Sequence, residues 1–395
     1  MIIMKYKSFL ILCLIEALFV YSVIGQKETN TRNWTLNGYL SSLQSVIVMD
    51  SMSDNWEADY LLHNRLNFDW SPSRNFSLII EMRNRFMYGD QLKSDTLGYY
   101  KNSLENDKGI ADLAWNIGEG KSYVFNVMVD RIYARYTYKK FEATIGRQRI
   151  NWGQTFVWNP NDIFNTYSFF DFDYPERPGS DAIRLQYYPG MTSVAELAVK
   201  SDSAGDITAA GFYRFNKWGY DVQVLSGILN SEDLVVGLGW SGSIKSVSFR
   251  GEMSYFHPYK SFSDTSGLFY LSMGLDYVFP NSVSLQCEAL YSQLPKGFDI
   301  TNFLEFYSRP LSVKNLSFTK FSIFAQAGFP VTPLLNLNLA GMVFPGLNGY
   351  YLGPSLTYSL GDNLEFSLYY QLFSGKFGKE RQAFNLGFMR FKYNF

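Results

Sequence analysis

A two-residue alternation of apolar and polar side chains constrains this chain more than any other feature. Segments 62–70, 76–88, 247–255 and 283–291 each place apolar residues on one face and polar or charged residues on the other. This is the period of a β-strand with one apolar and one wet face. Repeated segments of about ten such residues are typical of transmembrane β-barrels, whose closure satisfies the backbone within lipid. A soluble sandwich also alternates, but we expect it to show fewer aromatic residues than the 18% found here.

The amino-terminal segment has the organisation of a cleaved export signal. Two lysines precede an apolar run over residues 9–20, and residues small enough for cleavage follow it. We therefore predict a signal peptide at residues 1–25 and a single β-barrel domain at residues 26–395. No linker or charge block divides the second part, and no later stretch approaches the ~18 apolar residues of a transmembrane helix.

Short and long connections alternate along the chain, as in bacterial barrels with short periplasmic turns and long extracellular loops. The short links are predicted at 71–75, 139–140, 189–190, 216–219, 242–243, 280–281, 330–333 and 361–363. The longer links are predicted at 50–59, 89–122, 151–180, 201–206, 230–233, 257–267, 295–315, 345–350 and 374–381. The pattern predicts an all-β fold, a transmembrane antiparallel up-and-down β-barrel of about 18 strands, with 16 as the alternative.

The carboxyl end alternates up to a terminal aromatic residue. Met389, Phe391, Tyr393 and Phe395 share one face, with charged and polar residues between them. This pattern resembles the terminal sorting strand of outer-membrane barrel proteins, although an ordinary amphipathic edge strand is the alternative. The resemblance implies recognition of Phe395 by the barrel-assembly machinery and a location in the bacterial outer membrane. Aromatic outer faces favour lipid on all sides, and therefore a monomer.

One segment stands out for its density of Arg, Asn, Trp and Gly. Residues 146–153 read Gly-Arg-Gln-Arg-Ile-Asn-Trp-Gly, and an Asn-Pro pair follows at 159–160. Over about forty residues this region resembles alginate-export-type outer-membrane porins, in which a strand ending Gly-Arg-Gln precedes a Trp-Gly and an Asn-Pro loop. The resemblance implies an eighteen-stranded, single-chain barrel that moves an anionic polymer or a small anionic solute through an arginine-lined constriction. Arg147 and Arg149 are the residues that carry over by position.

Arginine suits such a constriction on chemical grounds as well. Its charge persists at any working pH, its rigid fork matches carboxylate or phosphate, and rings of cationic residues favour anions. The predicted pore-lining residues are Arg65, Arg83, Arg85, Arg131, Arg135, Arg147, Arg149, Arg184 and Arg250. Asp69, Glu81, Glu252 and Glu288 occupy the same face of their strands. A set of internal ion pairs that braces the barrel is therefore an equal alternative.

The loop at 151–180 offers two further ligand chemistries. Trp152, Trp158 and Tyr167 could stack on sugar rings, or they could form an apolar underside that packs the loop inside the barrel or at its rim. The acidic residues Asp162, Asp171, Asp173, Glu176 and Asp181 could gather the oxygen ligands of calcium. Their spacing is irregular, which favours solvated loop charges or partners for arginine.

Other functional classes find little support. The chain has only two histidines, His63 and His257, far apart in sequence, so neither a hydrolase triad nor a zinc site is recognisable. No enzyme activity, metal or cofactor is therefore predicted, and a formal net charge of −1 gives no argument for nucleic acid. Two hypotheses remain: a channel for polar or anionic solutes or polysaccharide, and a non-conducting barrel that binds polysaccharide with its surface loops.

Overall fold

The chain forms one antiparallel sheet that closes on itself. The computed structural model describes residues 33–49, 56–170, 173–174, 176–260, 262–263, 266–294, 312–317 and 319–395. The predicted signal peptide at 1–25 lies outside the described residues. The strands are β1 (Trp34–Met49), β2 (Trp56–Ser73), β3 (Phe76–Gly89), β4 (Ala114–Glu119), β5 (Tyr123–Tyr138), β6 (Phe141–Gln148), β7 (Ser180–Gly190), β8 (Ser193–Ser201), β9 (Ile207–Lys217), β10 (Tyr220–Leu229), β11 (Asp233–Ile244), β12 (Val247–Pro258), β13 (Leu268–Val278), β14 (Ser284–Ser292), β15 (Phe321–Pro330), β16 (Leu335–Phe344), β17 (Gly349–Ser359), β18 (Leu364–Phe377) and β19 (Glu380–Asn394).

Eighteen of these strands make the barrel wall, as the turn and loop pattern predicted. Each wall strand pairs with its neighbour in sequence, and β1 pairs with β19 to close the ring. β4 is the exception, because β3 pairs directly with β5 while β4 adds only to the upper part of β5. Two short helices, α1 (Asp90–Ser94) and α2 (Tyr99–Glu105), accompany β4 in the long β3–β5 connection. Among the described residues, no helix has the length and apolarity to cross a membrane.

The alternation predicted from sequence sorts side chains between lipid and lumen. On β2, His63 and Arg65 point inward and are almost fully buried, whereas Leu62 points outward and is exposed. The register continues on β3, where Arg83 lies opposite Arg65 and Met82 opposite Leu66. The inward face of the wall is therefore the charged one.

All eight short connections lie at or within three residues of their predicted positions, which confirms the predicted pattern of short turns. Four of these turns place a non-glycine residue in the left-handed region: Lys139 (φ 54°), Trp218 (φ 55°), Lys245 (φ 55°) and Ser282 (φ 65°). One of the longer predictions is wrong: at 374–381 the strands β18 and β19 continue to a tight turn at residues 378–379. Gly378 (φ 60°) makes that turn possible.

The carboxyl terminus is part of the closure. The backbone N–H of Phe395 donates to the Gly38 carbonyl at 3.0 Å, and the Gly38 N–H donates to the Phe395 carbonyl at 3.0 Å. A side chain at Gly38 would meet the Arg65 carbonyl, with 2.0 Å between that oxygen and a Cβ. The last residue therefore fills a ladder position in the wall. Its recognition by assembly machinery stays a prediction.

A β-bulge on β5 brings two charged side chains into the lumen side by side. The register between β3 and β5 shifts after Glu81, which lies opposite Arg131, so that Met82 faces Val129 and Asp130 has no opposite residue. A bulge of this kind inserts one residue and redirects its side chain. Asp130 and Arg131 are thereby both available to the cluster of arginines described below.

Candidate functional site

Residues 149–179, which connect β6 to β7, fold into the barrel and are here called the inward loop. Glu252 of β12 is fully buried and accepts hydrogen bonds from the loop backbone. Its carboxylate receives the N–H of Thr155 at 2.7 Å and that of Asn161 at 3.0 Å, together with the N–H of Gln154. An acidic residue on the wall therefore fastens one turn of the loop.

A second wall carboxylate repeats this arrangement two strands away. Glu288 of β14 accepts the backbone N–H groups of Phe156 and Trp158 at 2.8 Å each, and that of Val157 at 3.1 Å. The hydroxyl of Ser272 donates to the same carboxylate at 3.0 Å. Buried carboxylates that receive several N–H groups form strong, charge-assisted bonds. Glu252 and Glu288 thus hold a continuous stretch of loop backbone against the wall.

The underside of the inward loop is apolar and packs on the same wall. Trp152 stacks on Phe212 of β9 with ring centroids 5.0 Å apart, and it meets Phe164 edge-on at 4.9 Å. Further along, Phe169 packs against Phe324 of β15 at 5.0 Å, and Phe170 against Tyr351 of β17 at 5.0 Å. Such edge and stacked contacts stabilise beyond simple area burial. The loop is therefore a built part of the barrel interior.

The far end of the inward loop reaches the opposite wall, where the bulge lies. Arg131 donates to the backbone carbonyl of Glu176 and pairs with Glu81 at 3.0 Å. The hydroxyl of Tyr39 on β1 donates to the Glu176 carboxylate at 3.2 Å. The guanidinium of Arg83 lies over the ring of Tyr174 at 3.9 Å. Both ends of the loop are thus fixed to wall strands.

The arginines around the bulge are compensated by acidic groups. Arg65 is fully buried, bonds Asp130 at 2.5 Å and also pairs with Glu81. Arg83 pairs with the other oxygen of Asp130 at 3.2 Å. Three predicted pore-lining residues, Arg65, Arg83 and Arg131, therefore belong to one buried ion-pair network. Pairs of this kind cost several kcal/mol to break, about 3–5 kcal/mol when one partner is removed.

Arg147 joins the β3–β5 connection to the start of β7. Its guanidinium binds Asp181 at 2.7 and 2.9 Å, Asp107 at 2.5 Å and the Ala111 carbonyl at 2.7 Å. Asp107 and Ala111 belong to the β3–β5 connection, whereas Asp181 is the second residue of β7, just after the inward loop. Only 5% of Arg147 is exposed. The residue that carries over from the resemblance is thus committed to holding loops.

The other four arginines that carry a strand position differ in their side-chain partners. Arg184 grips Glu196 through two bonds of 2.7 Å, Arg135 lies 3.6 Å from Glu142, and Arg250 pairs with Asp276. Arg85 instead donates to the side-chain oxygen of Asn126 at 2.7 Å. Within the described part of the chain, Arg85 and Arg149 are the two predicted pore-lining arginines without a carboxylate partner.

Arg149 lies in a polar cavity of about 290 Å³ between the inward loop and β12, here called the arginine pocket. Arg149, Arg177 and Arg250 supply its charges, while Asn151, Asn159 and Tyr167 supply amide and hydroxyl groups. The hydroxyl of Tyr167 donates to the Phe156 carbonyl at 2.9 Å, which fixes the ring, and the guanidinium of Arg177 lies over that ring. Arg177 was not among the predicted residues. Arg177 precedes a proline and has a left-handed backbone (φ 62°), and nothing in the sequence around it indicates a binding role.

The arginine pocket is electrostatically positive, because no carboxylate of the described residues forms an ion pair with Arg149 or Arg177. The pKa of Arg149 is lowered because burial penalises its cation and because Arg177 repels it. The Nε atom of Arg149 is buried and has no hydrogen-bond partner among the described residues. An anion that enters this pocket would satisfy donors that the protein leaves open. A cation would meet repulsion from three guanidinium groups, and among the described residues Arg250 alone of the three has a carboxylate partner.

Asp162 is the carboxyl group that opposes the charge of Arg149, but burial disfavours its ionised form. Asp162 is fully buried, and its pKa is raised to about 8 by desolvation and by Glu252, while Arg149 and Arg177 act in the opposite direction. One of its oxygens receives the Trp152 N–H at 3.4 Å, and the other has no partner in the described structure. At neutral pH the group therefore keeps its proton for much of the time and leaves the arginine pocket positive.

The structure places the predicted sugar-stacking residues inside the protein. Trp152 and Trp158 are 3% and 5% exposed, and the Trp152 indole N–H donates to Glu196 at 2.6 Å. The ring of Tyr167 borders the arginine pocket but is covered on one face by Arg177. These side chains thus take the apolar-underside role that sequence analysis left as the alternative, and in this conformation the two tryptophans have no free face for a sugar.

The acidic residues of the inward loop and the adjoining Asp181 bind separate partners. Asp181 binds Arg147, Glu176 accepts from Tyr39, and Asp173 lies 3.6 Å from His63. Asp171 lies outside the described residues. Over the portion of the chain that is described, no three His, Cys, Asp or Glu side chains come together in a group able to hold a metal ion.

Comparisons with known proteins identify the fold. No family model and no curated protein matches the chain. Among solved structures, OccK11 (OpdR) of Pseudomonas aeruginosa matches with a TM-score of 0.57 at 8% identity, covering 92% of this chain and 96% of that one. OccAB3 of Acinetobacter baumannii gives 0.56 at 11% identity over 91% and 99%, and the outer membrane protein opdK of Pseudomonas aeruginosa gives 0.56 at 10% over 91% and 98%. The barrel thus has the fold of outer-membrane porin structures, and none of the comparisons points to the alginate-export-type porins.

Proposed function

We propose that this protein is an outer-membrane porin that passes polar solutes and favours anions through the arginine pocket. The observation that carries the proposal is the pair Arg149 and Arg177, which face a polar cavity without a carboxylate partner in the described structure. Uncompensated guanidinium groups at a narrow point attract anions and repel cations. The fold supports a location in the outer membrane, since its outer surface is apolar over the whole ring.

The same chemistry predicts that the transported solute is an anion, but it does not distinguish one kind of anion from another. A guanidinium fork matches a carboxylate or a phosphate. A polymer of the alginate kind would present carboxylates to Arg149 and Arg177, and so would a small organic acid. We retain an anionic polysaccharide as one candidate cargo because residues 146–153 carry the resemblance described above. The alternative of a non-conducting barrel that grips sugars through Trp152 and Trp158 is less favoured, because both rings are buried.

Reversal potentials across planar bilayers test the proposal. The purified barrel, placed between two KCl concentrations, should show a potential of the sign expected for chloride preference. The double variant Arg149→Gln/Arg177→Gln should lose most of this preference. In water, one unit charge at roughly 7 Å changes the energy of a passing ion by about 0.6 kcal/mol, or nearly threefold in occupancy. Two charges therefore raise the occupancy of an anion by roughly sevenfold and lower that of a cation by the same factor, so the double variant should change the anion-to-cation ratio by roughly fiftyfold at low salt. The change should be smaller at 1 M salt.

Arg214→Gln is the matched control, since it removes the same charge from another inward position. Arg214 lies opposite Gln223 and Val194, near the periplasmic end of β9, and does not line the arginine pocket. We expect this variant to retain most of the preference for chloride. Absence of any conductance from the folded barrel would refute the channel function. Equal shifts in the control and the double variant would refute the role assigned to Arg149 and Arg177.

A further inference from the structure

The outer wall contains an apolar groove near the periplasmic turns, apart from the lumen. Its volume is about 480 Å³, and it runs across β5, β6, β7 and β8. Ala143 and Ala195 form its floor, because their small side chains sit among larger outward neighbours. Ala143 lies between Tyr136 and Leu185 in the sheet register, and Ala195 lies beside Tyr187. The outer surface of the wall is therefore recessed at Ala143 and Ala195, where larger side chains would fill the space.

Aromatic side chains form the rims of this groove. Tyr136, Tyr138 and Phe141 are more than half exposed in the isolated protein, and Phe141 packs against Tyr187 with ring centroids 4.7 Å apart. Tyr residues at the level of the lipid headgroups form the interfacial belt of a membrane barrel. The groove therefore begins at the headgroup level of the periplasmic leaflet and continues towards its acyl chains.

Two lysines stand at the headgroup end of the groove. Lys139 and Lys140 form the turn between β5 and β6, directly after Tyr138 and before Phe141. The ammonium of Lys139 lies 5.2 Å from the centre of the Tyr138 ring, and that of Lys140 donates to the Pro189 carbonyl at 2.8 Å. The second contact draws the Lys140 charge over the gap between the β5–β6 turn and the end of β7. Each ammonium retains further N–H groups for an anion.

We propose that the groove binds one phospholipid with an anionic headgroup from the periplasmic leaflet. Its acyl chain would lie over Ala143 and Ala195, and its phosphate would meet Lys139 and Lys140. The charge complementarity of the two lysines selects this occupant, because a second barrel would bring an apolar surface but no phosphate to the turn. Each lysine near an anionic headgroup strengthens binding by roughly fivefold, and each buried methylene by roughly fourfold.

Native mass spectrometry of the full barrel in detergent tests this proposal. Phosphatidylglycerol and phosphatidylcholine with identical acyl chains are added in equal amounts. The wild-type protein should retain one phosphatidylglycerol in preference to phosphatidylcholine. Lys139→Asn/Lys140→Gln should reduce this preference by at least about fivefold. Asparagine is chosen because it tolerates the left-handed backbone of Lys139. Ala143→Phe/Ala195→Phe fills the groove and should reduce the retention of both lipids.

The matched controls lie on the other side of the barrel. Lys245→Asn removes a lysine with the same left-handed backbone (φ 55°) from the β11–β12 turn, and Ala325→Phe enlarges an outward alanine on β15. Both should bind lipid as the wild type does. Heat-modified migration on a gel checks that each variant folds. The single variants Ala143→Leu and Ala195→Leu fill part of the groove should the double variant fail to fold.

Three results would overturn the proposal. The first is equal retention of both lipids by the wild type, and the second is a loss in the control variants as large as in the groove variants. The third is a dimer of the wild-type barrel that Ala143→Phe abolishes, because a second copy would then occupy the groove. Conductance is a separate readout, so this test stands or fails independently of the anion channel.

Discussion

The inward loop should leave its place when Glu288 is replaced by glutamine. Glutamine keeps one acceptor oxygen, which can serve Trp158 and Ser272 as one carboxylate oxygen does now, at 2.8 and 3.0 Å. The other oxygen, which receives the N–H groups of Phe156 and Val157 at 2.8 and 3.1 Å, becomes an amide that can only donate. The N–H groups of Phe156 and Val157 then face an amide nitrogen that is itself a donor. Water does not replace the lost acceptor, because the site is buried and Glu288 is only 4% exposed.

The magnitude follows from those two lost bonds. A hydrogen bond to a charged group contributes about 1.5–3 kcal/mol, so that the loss is about 3–6 kcal/mol. At about 1.4 kcal/mol for each factor of ten, the balance between the inward and the released loop shifts by roughly two to four orders of magnitude. The barrel wall does not depend on these bonds, since its strands pair with one another. The variant should therefore fold and expose a mobile loop.

Single-channel recording and limited proteolysis measure this release together. We expect a larger and noisier conductance for Glu288→Gln, and rapid cleavage by trypsin after Arg149, where the following Ile150 is fully buried in the wild type. Glu365→Gln is the matched control, because it removes the same charge from β18, where Glu365 binds Arg390 and not the loop. Wild-type conductance and full protection of the Arg149–Ile150 bond in Glu288→Gln would refute the assigned role of the carboxylate.

Two further variants separate loop position from charge. Arg147→Gln leaves the carboxylates of Asp107 and Asp181 unpaired, which costs about 3–5 kcal/mol for a buried pair. The β3–β5 connection should then become sensitive to trypsin at Lys108, while chloride preference persists. Loss of that preference with an intact connection would contradict this assignment. The pKa of Asp162 is raised to about 8, so the folded protein holds a proton that the unfolded chain has lost above about pH 4. Stability of the inward loop should therefore fall as pH rises from about 4 to about 8 and level off above pH 8. Chloride preference should weaken over the same range as the carboxylate forms beside Arg149. Asp162→Asn should remove both trends, as measured by proteolysis and by reversal potentials between pH 6 and pH 9.

The barrel itself follows from the sequence because its determinants are local. Each strand carries its own alternation, so that the faces of His63 and Arg65 against Leu62 can be assigned without knowing any partner strand. The wrong loop at 374–381 also has a local cause. Ser374 and Gly375 interrupt the alternation and indicate a loop, although their backbone groups continue the ladder opposite Ala383 and Gln382. Pairing with a neighbour overrides the propensity of single residues.

The sequence locates the site but does not show which role each arginine has. The segment 146–153 correctly marks the approach to the inward loop, yet nothing in it distinguishes Arg147 from Arg149. Their different states come from distant parts of the chain: Asp107 and Asp181 neutralise the first, and neither reaches the second. Glu252 and Glu288 likewise appear on the polar face of their strands as ordinary pore-lining charges. Their role as acceptors for loop backbone depends on contacts across more than 90 residues.

The compensation of charges, more than their number, decides what a lumen of this kind selects. A guanidinium bound to a carboxylate presents a dipole, whose field falls off faster with distance than that of a free charge, so the seven arginines with acidic partners contribute little to a passing ion. Arg85 has no carboxylate partner in the described structure, but its guanidinium binds Asn126, whose amide in turn donates to the carbonyl of Leu104 in the β3–β5 connection. Arg149 and Arg177 border a cavity and have no carboxylate partner among the residues that the structure describes. For this reason two residues in the inward loop, and not the larger set on the strands, should control the selectivity of the channel.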